Sequence, residues 1–286
     1  MNRLMVVLCC VLLSACGGSS VTRPALILNA ENYMNEAIQA YADEQWNRAQ
    51  QLFERSLINY QSMDDRLGVL VCHINLVEVA LAGHVLALAE KHLALADAML
   101  KTEALPGYQA RINLLYALVA MQQDKMIAAH SFLQSVLPDF QLTAFTVDAV
   151  QLAAIASRTQ IAFVQKQNES LWTSRFENAL EKSVPANQAM QARLIRFQAR
   201  LLMQTGDYAK AEALFQQALL IYKADLSRSG IAQVLFELGT LSQQQSAKAQ
   251  AINYFNRAIA VFQSLGQTEK VNKIKQSLGK VQIEQL

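Results

Sequence analysis

The feature that most constrains this chain is a small–large–small pattern of side chains that returns at a spacing of forty residues. Its clearest copy is Ala211, Phe215 and Ala218, which lie four and three residues apart and so share one face of a helix. The other strong copies are Ala251, Phe255 and Ala258; Ala49, Phe53 and Ser56; and Ala89, Leu93 and Ala96. A repeat at this period predicts a series of similar units that stack on one another.

The interval between Ala89 and Ala211 has room for two more units. Two weaker copies of the pattern occupy it: Ala128, Phe132 and Ser135, and Trp172, Phe176 and Ala179. The chain has only 10 Gly and 4 Pro, and Pro106, Pro138 and Pro185 fall between the predicted units, where a helix must stop. We therefore expect an all-α fold of about six helical hairpins, because one hairpin alone cannot bury its apolar face.

This pattern resembles the tetratricopeptide repeat. Small and apolar residues also stand in the first-helix places of that family: Tyr33 and Ala37; Ile195 and Ala199; and Leu235, Leu238 and Gly239. Gly206, Asp207 and Tyr208 match the usual turn, whereas the period near 40 is longer than the 34 typical of the family. The resemblance covers about 27–264 and implies an α-solenoid. Residues 265–286 are expected to form a C-terminal capping helix with a polar outer face.

The N-terminal sequence predicts a signal that directs the chain to the cell envelope. Arg3 precedes an apolar run over 4–13 that is too short to span a bilayer. The next residues, Leu13, Ser14, Ala15 and Cys16, resemble the lipobox of bacterial lipoproteins. That resemblance implies a signal peptide over 1–15, a lipid on Cys16 and a tether over 16–26. The absence of Asp directly after Cys16 favours the periplasmic face of the outer membrane. The alternatives are an apolar N-terminal helix with incidental cysteines or an uncleaved anchor.

The residues that usually carry chemistry form no recognisable catalytic or metal-binding motif. The four histidines include no pair in metalloprotease order, and Cys72 stands alone in an apolar stretch. A net charge of +2 favours no nucleic-acid partner. We therefore expect no metal, no cofactor and no enzyme activity, since helical solenoids usually bind partners. An enzyme with an unrecognised site is the rival from another class.

An arginine stripe is the best candidate for a binding site. Arg193, Arg196 and Arg200 share one face of a helix predicted over 187–204. The resemblance implies that these places face the concave groove, and Arg158 on an earlier first helix is expected nearby. Unpaired guanidinium groups suit carboxylates, which they bind through two parallel hydrogen bonds.

Two alternatives to this site stay open. Glu177 and Glu181 on the preceding helix could pair with the arginines, or the stripe could be a solvated face. The corresponding places of the first two units are Met34, Ile38 and Tyr41, and Val71, Ile74 and Glu78. That N-terminal groove is apolar and suits an amphipathic helix of a partner, although tight packing or self-association would also cover it.

These features together predict a membrane-anchored interaction scaffold. Its partner would be a protein or peptide of the cell envelope, in pilus, secretion or outer-membrane assembly. The alternative is a regulator that senses a peptide or another ligand and acts on an envelope protein.

Overall fold

The structure is a computed structural model that describes residues 25–103, 105, 107–137, 146–183 and 187–283. Within these ranges it has thirteen α-helices: α1 Ala25–Ala42, α2 Trp46–Ser62, α3 Arg66–Ala82, α4 Leu86–Thr102, α5 Gln109–Gln122, α6 Met126–Val136, α7 Ala149–Gln165, α8 Glu169–Glu181, α9 Gln188–Gln204, α10 Tyr208–Ala224, α11 Arg228–Gln244, α12 Lys248–Ser264 and α13 Thr268–Ile283. The predicted signal peptide, Cys16 and the tether up to residue 24 lie outside the described residues, as do Pro106, Pro138 and Pro185.

Twelve of these helices pair in chain order into six hairpins, and α13 packs against the last of them. The odd-numbered helices α1 to α11 are the first helices of the hairpins, and the even-numbered ones are the second helices. The described residues contain no strand, and their only β-type contact is an isolated bridge between Val147 and Ser183. The prediction of an all-α solenoid built from repeated hairpins is confirmed.

The small–large–small pattern forms the core of the hairpins. Ala211, Phe215 and Ala218 are fully buried, and so are the equivalent residues of α12. The large residue fits because its neighbour is small: a Cβ atom built on Gly239 would lie 2.5 Å from Cδ1 of Phe255. The weaker copy on α8 is also confirmed, since Trp172, Phe176 and Ala179 are buried.

The predicted register of the third hairpin is wrong by one residue. Helix α6 buries Ala129, Leu133 and Val136 in place of Ala128, Phe132 and Ser135. The Phe132 ring instead stacks on Tyr116, with ring centroids 5.1 Å apart. The sequence offers two similar apolar registers here, and contacts with neighbouring helices decide between them.

Left-handed residues end the helices at regular intervals. Positive φ angles recur every twenty residues, half the repeat period, in two series: Glu44, Asp64 and His84, and Gly206, Leu226, Ser246 and Gly266. Several of the following helices are capped, among them α3, where the Asp65 side chain accepts a hydrogen bond of 2.9 Å from the Gly68 amide. The even spacing of these turns keeps the first helices side by side along one face of the array.

Candidate binding site

First helices of the C-terminal half, together with α13, line a cavity of about 640 Å³, which we call the basic cavity. Its walls come mainly from α7, α9, α11 and α13. Arg193, Arg196 and Arg200 all line it, so the structure brings the predicted stripe together on one wall. The volume lies within the range typical of ligand-binding sites.

Arg196 is engaged within the fold. Its Nε and Nη2 atoms donate to the two carboxylate oxygens of Glu237 at 2.8 and 2.7 Å. The two side chains are only 12% and 9% exposed. Burial disfavours the guanidinium charge, but the attraction and hydrogen bonds of Glu237, with a contribution from Tyr222, leave the pKa of Arg196 raised. Arg196 therefore positions the cavity wall and is not free to bind a partner.

The expected partners from the preceding helix do not pair with the stripe. Glu177 accepts a hydrogen bond from Gln198 at 3.2 Å, and the described contacts of Glu181 include no arginine. The carboxylate that meets the stripe comes instead from α11, the next first helix. This pairing joins residues 41 apart and was not expected from the sequence.

Arg193 and Arg200 form no ion pair among the described residues. Arg193 Nη2 donates to the carbonyl oxygen of Ala156 at 3.3 Å, and burial and nearby Arg196 lower the pKa of Arg193 to about 10. The Arg200 guanidinium lies over the Phe163 ring, 4.1 Å from its centroid, and burial lowers its pKa as well. Because neither guanidinium has an ion-pair partner among the described residues, the charges on this wall favour an anion in the cavity.

Helix α13, from the segment expected to cap the array with a polar outer face, adds two cations to the cavity. Lys270 and Lys273 both line the basic cavity. Burial lowers the pKa of Lys270 to about 8, with a further contribution from Arg196. The sequence repeat could have placed Lys273 in the cavity, because Lys273 lies two periods of forty residues after Arg193 and so occupies the equivalent position. Among the described residues that line the cavity, Glu237 is the one acid.

Arg158 is not part of this group, contrary to the expectation. It faces a smaller pocket with His130 and Trp172, and its guanidinium lies 4.9 Å from the centroid of the Trp172 ring. Position within the repeat predicted its helix, α7, but not the direction of its side chain. The large Trp172, which replaces the small residue of the pattern, provides the ring against which it packs.

The structure contains the predicted N-terminal groove, but the groove is less apolar than expected. Met34, Ile38 and Tyr41 line a cavity of about 370 Å³ together with Val71 and Glu78. The prediction for Ile74 is wrong, since that residue is fully buried in the core. An ion pair of 2.8 Å between Arg111 and Glu78 forms one edge, and Asn75 donates to the Met34 sulfur at 3.3 Å. This cavity therefore has an internally satisfied polar edge.

The described part of the chain has neither a metal-binding cluster nor a membrane-spanning helix. It holds no cluster of three or more His, Cys, Asp or Glu side chains that could bind a metal ion. None of its helices is both long enough and apolar enough to cross a bilayer.

Helix α3 carries a buried thiol and one member of a histidine pair. Burial raises the pKa of the Cys72 thiol to about 11. The Nδ1 atoms of His73 and His92 lie 2.9 Å apart.

The tetratricopeptide repeat profile matches residues 191–264. This segment carries tetratricopeptide repeats. It spans α10, α11, α12 and most of α9, and so includes the arginine stripe and Glu237. No curated protein matches the chain at a significant level.

Solved structures with a similar fold cover most of the chain. The apo form of RapI is similar with a TM-score of 0.53 and 13% identity, over 90% of this chain and 71% of that one. The Cut9–Hcn1 hetero-tetramer of the APC/C gives a TM-score of 0.57 and 15% identity, over 96% and 46%. A signal transduction ATPase with a tetratricopeptide repeat sensor, from Pyrococcus horikoshii, gives 0.54 and 14%, over 86% and 37%.

This chain therefore spans less than half of the latter two. At these identities the likeness shows the fold alone. With the profile match, it agrees with a solenoid of helical hairpins in which residues 191–264 match the tetratricopeptide repeat.

Proposed function

We propose that this protein is an interaction scaffold that binds a protein or peptide partner in the basic cavity. The observation that carries the proposal is the excess of buried or half-buried positive charge on its walls. Arg193, Arg200 and Lys270 face the cavity without an ion-pair partner among the described residues. Desolvated cations held in place by a fold are prepared to meet carboxylates, because their geometry needs no further ordering.

We propose further that a lipid on Cys16 holds the scaffold at the periplasmic face of the outer membrane, where it serves envelope assembly. This rests on the basic residue, apolar run and lipobox-like Leu13–Cys16 segment alone. The test is labelling of cells with radioactive palmitate and fractionation of their membranes, for the native chain and for Cys16→Ala. We expect label and outer-membrane residence only with Cys16. Label on the variant, or an unlabelled native chain, would contradict the anchor.

The partner is tested by crosslinking in cells followed by mass spectrometry. The informative variant is Arg193→Gln/Arg200→Gln, which leaves the Arg196–Glu237 pair intact and removes two charges that burial already disfavours. The matched control is Lys223→Gln/Arg257→Gln, which removes two exposed charges from the second helices α10 and α12. We expect a partner that the cavity variant loses and the control keeps. Equal capture by both variants would place the binding site elsewhere.

A further inference from the structure

The array closes on itself between its first and last hairpins. Glu44, in the turn after α1, reaches the start of α11, where the amide of Ser229 donates to its two carboxylate oxygens at 3.0 and 3.1 Å. The Ser229 hydroxyl donates to the same carboxylate. Arg228 Nη2 donates to the Glu44 carbonyl oxygen at 2.9 Å, and its Nε lies 3.5 Å from the carboxylate. The Glu44 side chain is only 7% exposed, so this is a specific contact and not a loose surface pair.

A second contact shows that the closure follows the repeat. The side-chain amide of Gln267, just before α13, donates to the carbonyl oxygen of Ala82 at 3.1 Å. Both contacts join residues 185 apart in the sequence. The array therefore completes one turn in 185 residues, and its second turn begins directly against the first. We call the Glu44–Ser229 contact the latch.

Closure limits what can occupy the basic cavity. The latch joins the two ends of the turn, and Ser229, one of its two partners, itself lines the basic cavity. A standard interface with a folded partner buries about 800 Å² on each side and needs an open surface. A cavity of about 640 Å³ instead accommodates a short stretch of chain whose groups are surrounded on several sides.

The wall also selects the charge of the occupant. Five cations line the cavity among the described residues. Arg196 is paired with the one acid, Glu237, which leaves Arg193, Arg200, Lys270 and Lys273 without an ion-pair partner there. Ser229, which holds the Glu44 carboxylate, lines the cavity together with these cations, so the latch borders this charged region. An anionic occupant would therefore compensate charge along the same seam that the latch closes.

We infer that the basic cavity takes an extended acidic segment of a polypeptide, and that the latch retains this segment inside the closed turn. The inference rests on the proposed function and names the kind of partner. A free small anion is the other source of the same carboxylate chemistry. The test below separates the two.

The first experiment measures the affinity of the purified full-length chain by fluorescence anisotropy. The probe is a linear ten-residue peptide of alternating Glu and Gly with a fluorescent label, and the control peptide has Gln in place of Glu. We expect the acidic peptide to bind about tenfold or more tightly than its Gln counterpart. Arg200→Gln/Lys273→Gln should remove that advantage, whereas Lys223→Gln/Arg257→Gln should keep it. Equal affinity for both peptides, or equal loss in both variants, would overturn the inference.

Competition with citrate decides between a segment and a small anion. We expect citrate to displace the acidic peptide only at concentrations well above the Kd of the peptide, because it fills less of the cavity. Displacement at equal concentration would assign the cavity to small anions and overturn the inference.

The second experiment tests retention by the latch. Glu44→Gln removes the charge that holds Arg228 and Ser229, and Ser229→Ala is a milder second variant in case the first does not fold. Stopped-flow dissociation of the acidic peptide should be about tenfold faster in Glu44→Gln and faster to a smaller degree in Ser229→Ala. Unchanged dissociation from folded variants would show that the latch retains nothing. If no acidic peptide binds but the crosslinked partner still depends on Arg193 and Arg200, this inference fails and the proposed function stands.

Discussion

Gly239→Ala tests whether close packing between helices stabilises the repeat. Gly239 lies on α11, where an added Cβ would stand 2.5 and 2.6 Å from two carbons of the Phe255 ring. Ordinary contact begins near 3.4 Å, so the ring would have to move by about 0.9 Å. Phe255 has no exposed surface, and the Phe236 ring centroid lies 5.8 Å away, so there is little space for that movement.

Two effects of opposite sign set the magnitude. Overpacking of a buried position costs about 1–3 kcal/mol of the free energy of unfolding. Alanine is also the better helix former and returns about 0.8–1.0 kcal/mol. We therefore expect Gly239→Ala to lose up to about 2 kcal/mol. The matched control is Gly279→Ala on α13, where no atom lies within 4 Å of the added Cβ, and it should gain up to about 1 kcal/mol.

Urea denaturation followed by circular dichroism at 222 nm provides the assay for both variants and the native chain. The difference between the two variants cancels the helix-propensity effect and isolates the packing cost, which we expect to be about 1–3 kcal/mol. Equal stabilisation by both substitutions would refute the argument that the small residue of the first helix is required by the ring opposite it.

Three further predictions address the turns, the buried ion pair and the histidine pair. Gly206 adopts a φ of 80°, so Gly206→Ala should lower the free energy of unfolding by about 1–2 kcal/mol. Leu226 has a φ of 53°, so Leu226→Gly should not lower it. Urea midpoints compare the two variants, and equal losses would contradict the conformational argument. Glu237→Leu leaves the Arg196 charge buried without its partner and should lower the free energy of unfolding by about 3–5 kcal/mol. The double variant Arg196→Met/Glu237→Leu should recover much of this loss. A double variant as unstable as the single one would contradict this account of the pair. Burial, with a smaller contribution from His92, lowers the pKa of His73 from 6.5 to about 4. The unfolded chain therefore binds the proton first, and the free energy of unfolding should fall as the pH decreases from 6.5 towards 4. Urea midpoints across this range should vary less in His73→Gln, and the same variation in both proteins would contradict the assignment to His73.

Local patterns in the sequence were sufficient to predict the repeated hairpins. Ala211, Phe215 and Ala218 lie on one helix face, and a helix face is fixed by spacing alone. The same logic placed Arg193 and Arg200 in the cavity. It failed on α6, where Phe132 and Leu133 offer equivalent apolar side chains one residue apart and tertiary contacts decide which is buried.

Features that depend on distant parts of the chain were not predictable from these patterns. The pairing of Arg196 with Glu237 depends on how adjacent first helices pack, and the Arg158 orientation depends on the Trp172 ring. The latch is the clearest case, since nothing local to Glu44 indicates a partner 185 residues away. It arises from the accumulated rotation of successive hairpins, which only the assembled structure contains.

Site-specific photocrosslinking tests the central claim, that the partner binds inside the basic cavity, most directly. A photoreactive amino acid would replace Gln233, which lines the cavity, or Leu220, which is 67% exposed on the second helix α10. The account predicts that the Gln233 position captures a partner through an acidic segment, identified by mass spectrometry, and that the Leu220 position does not. Capture from Leu220 alone, or from Gln233 through a segment without acidic residues, would contradict it.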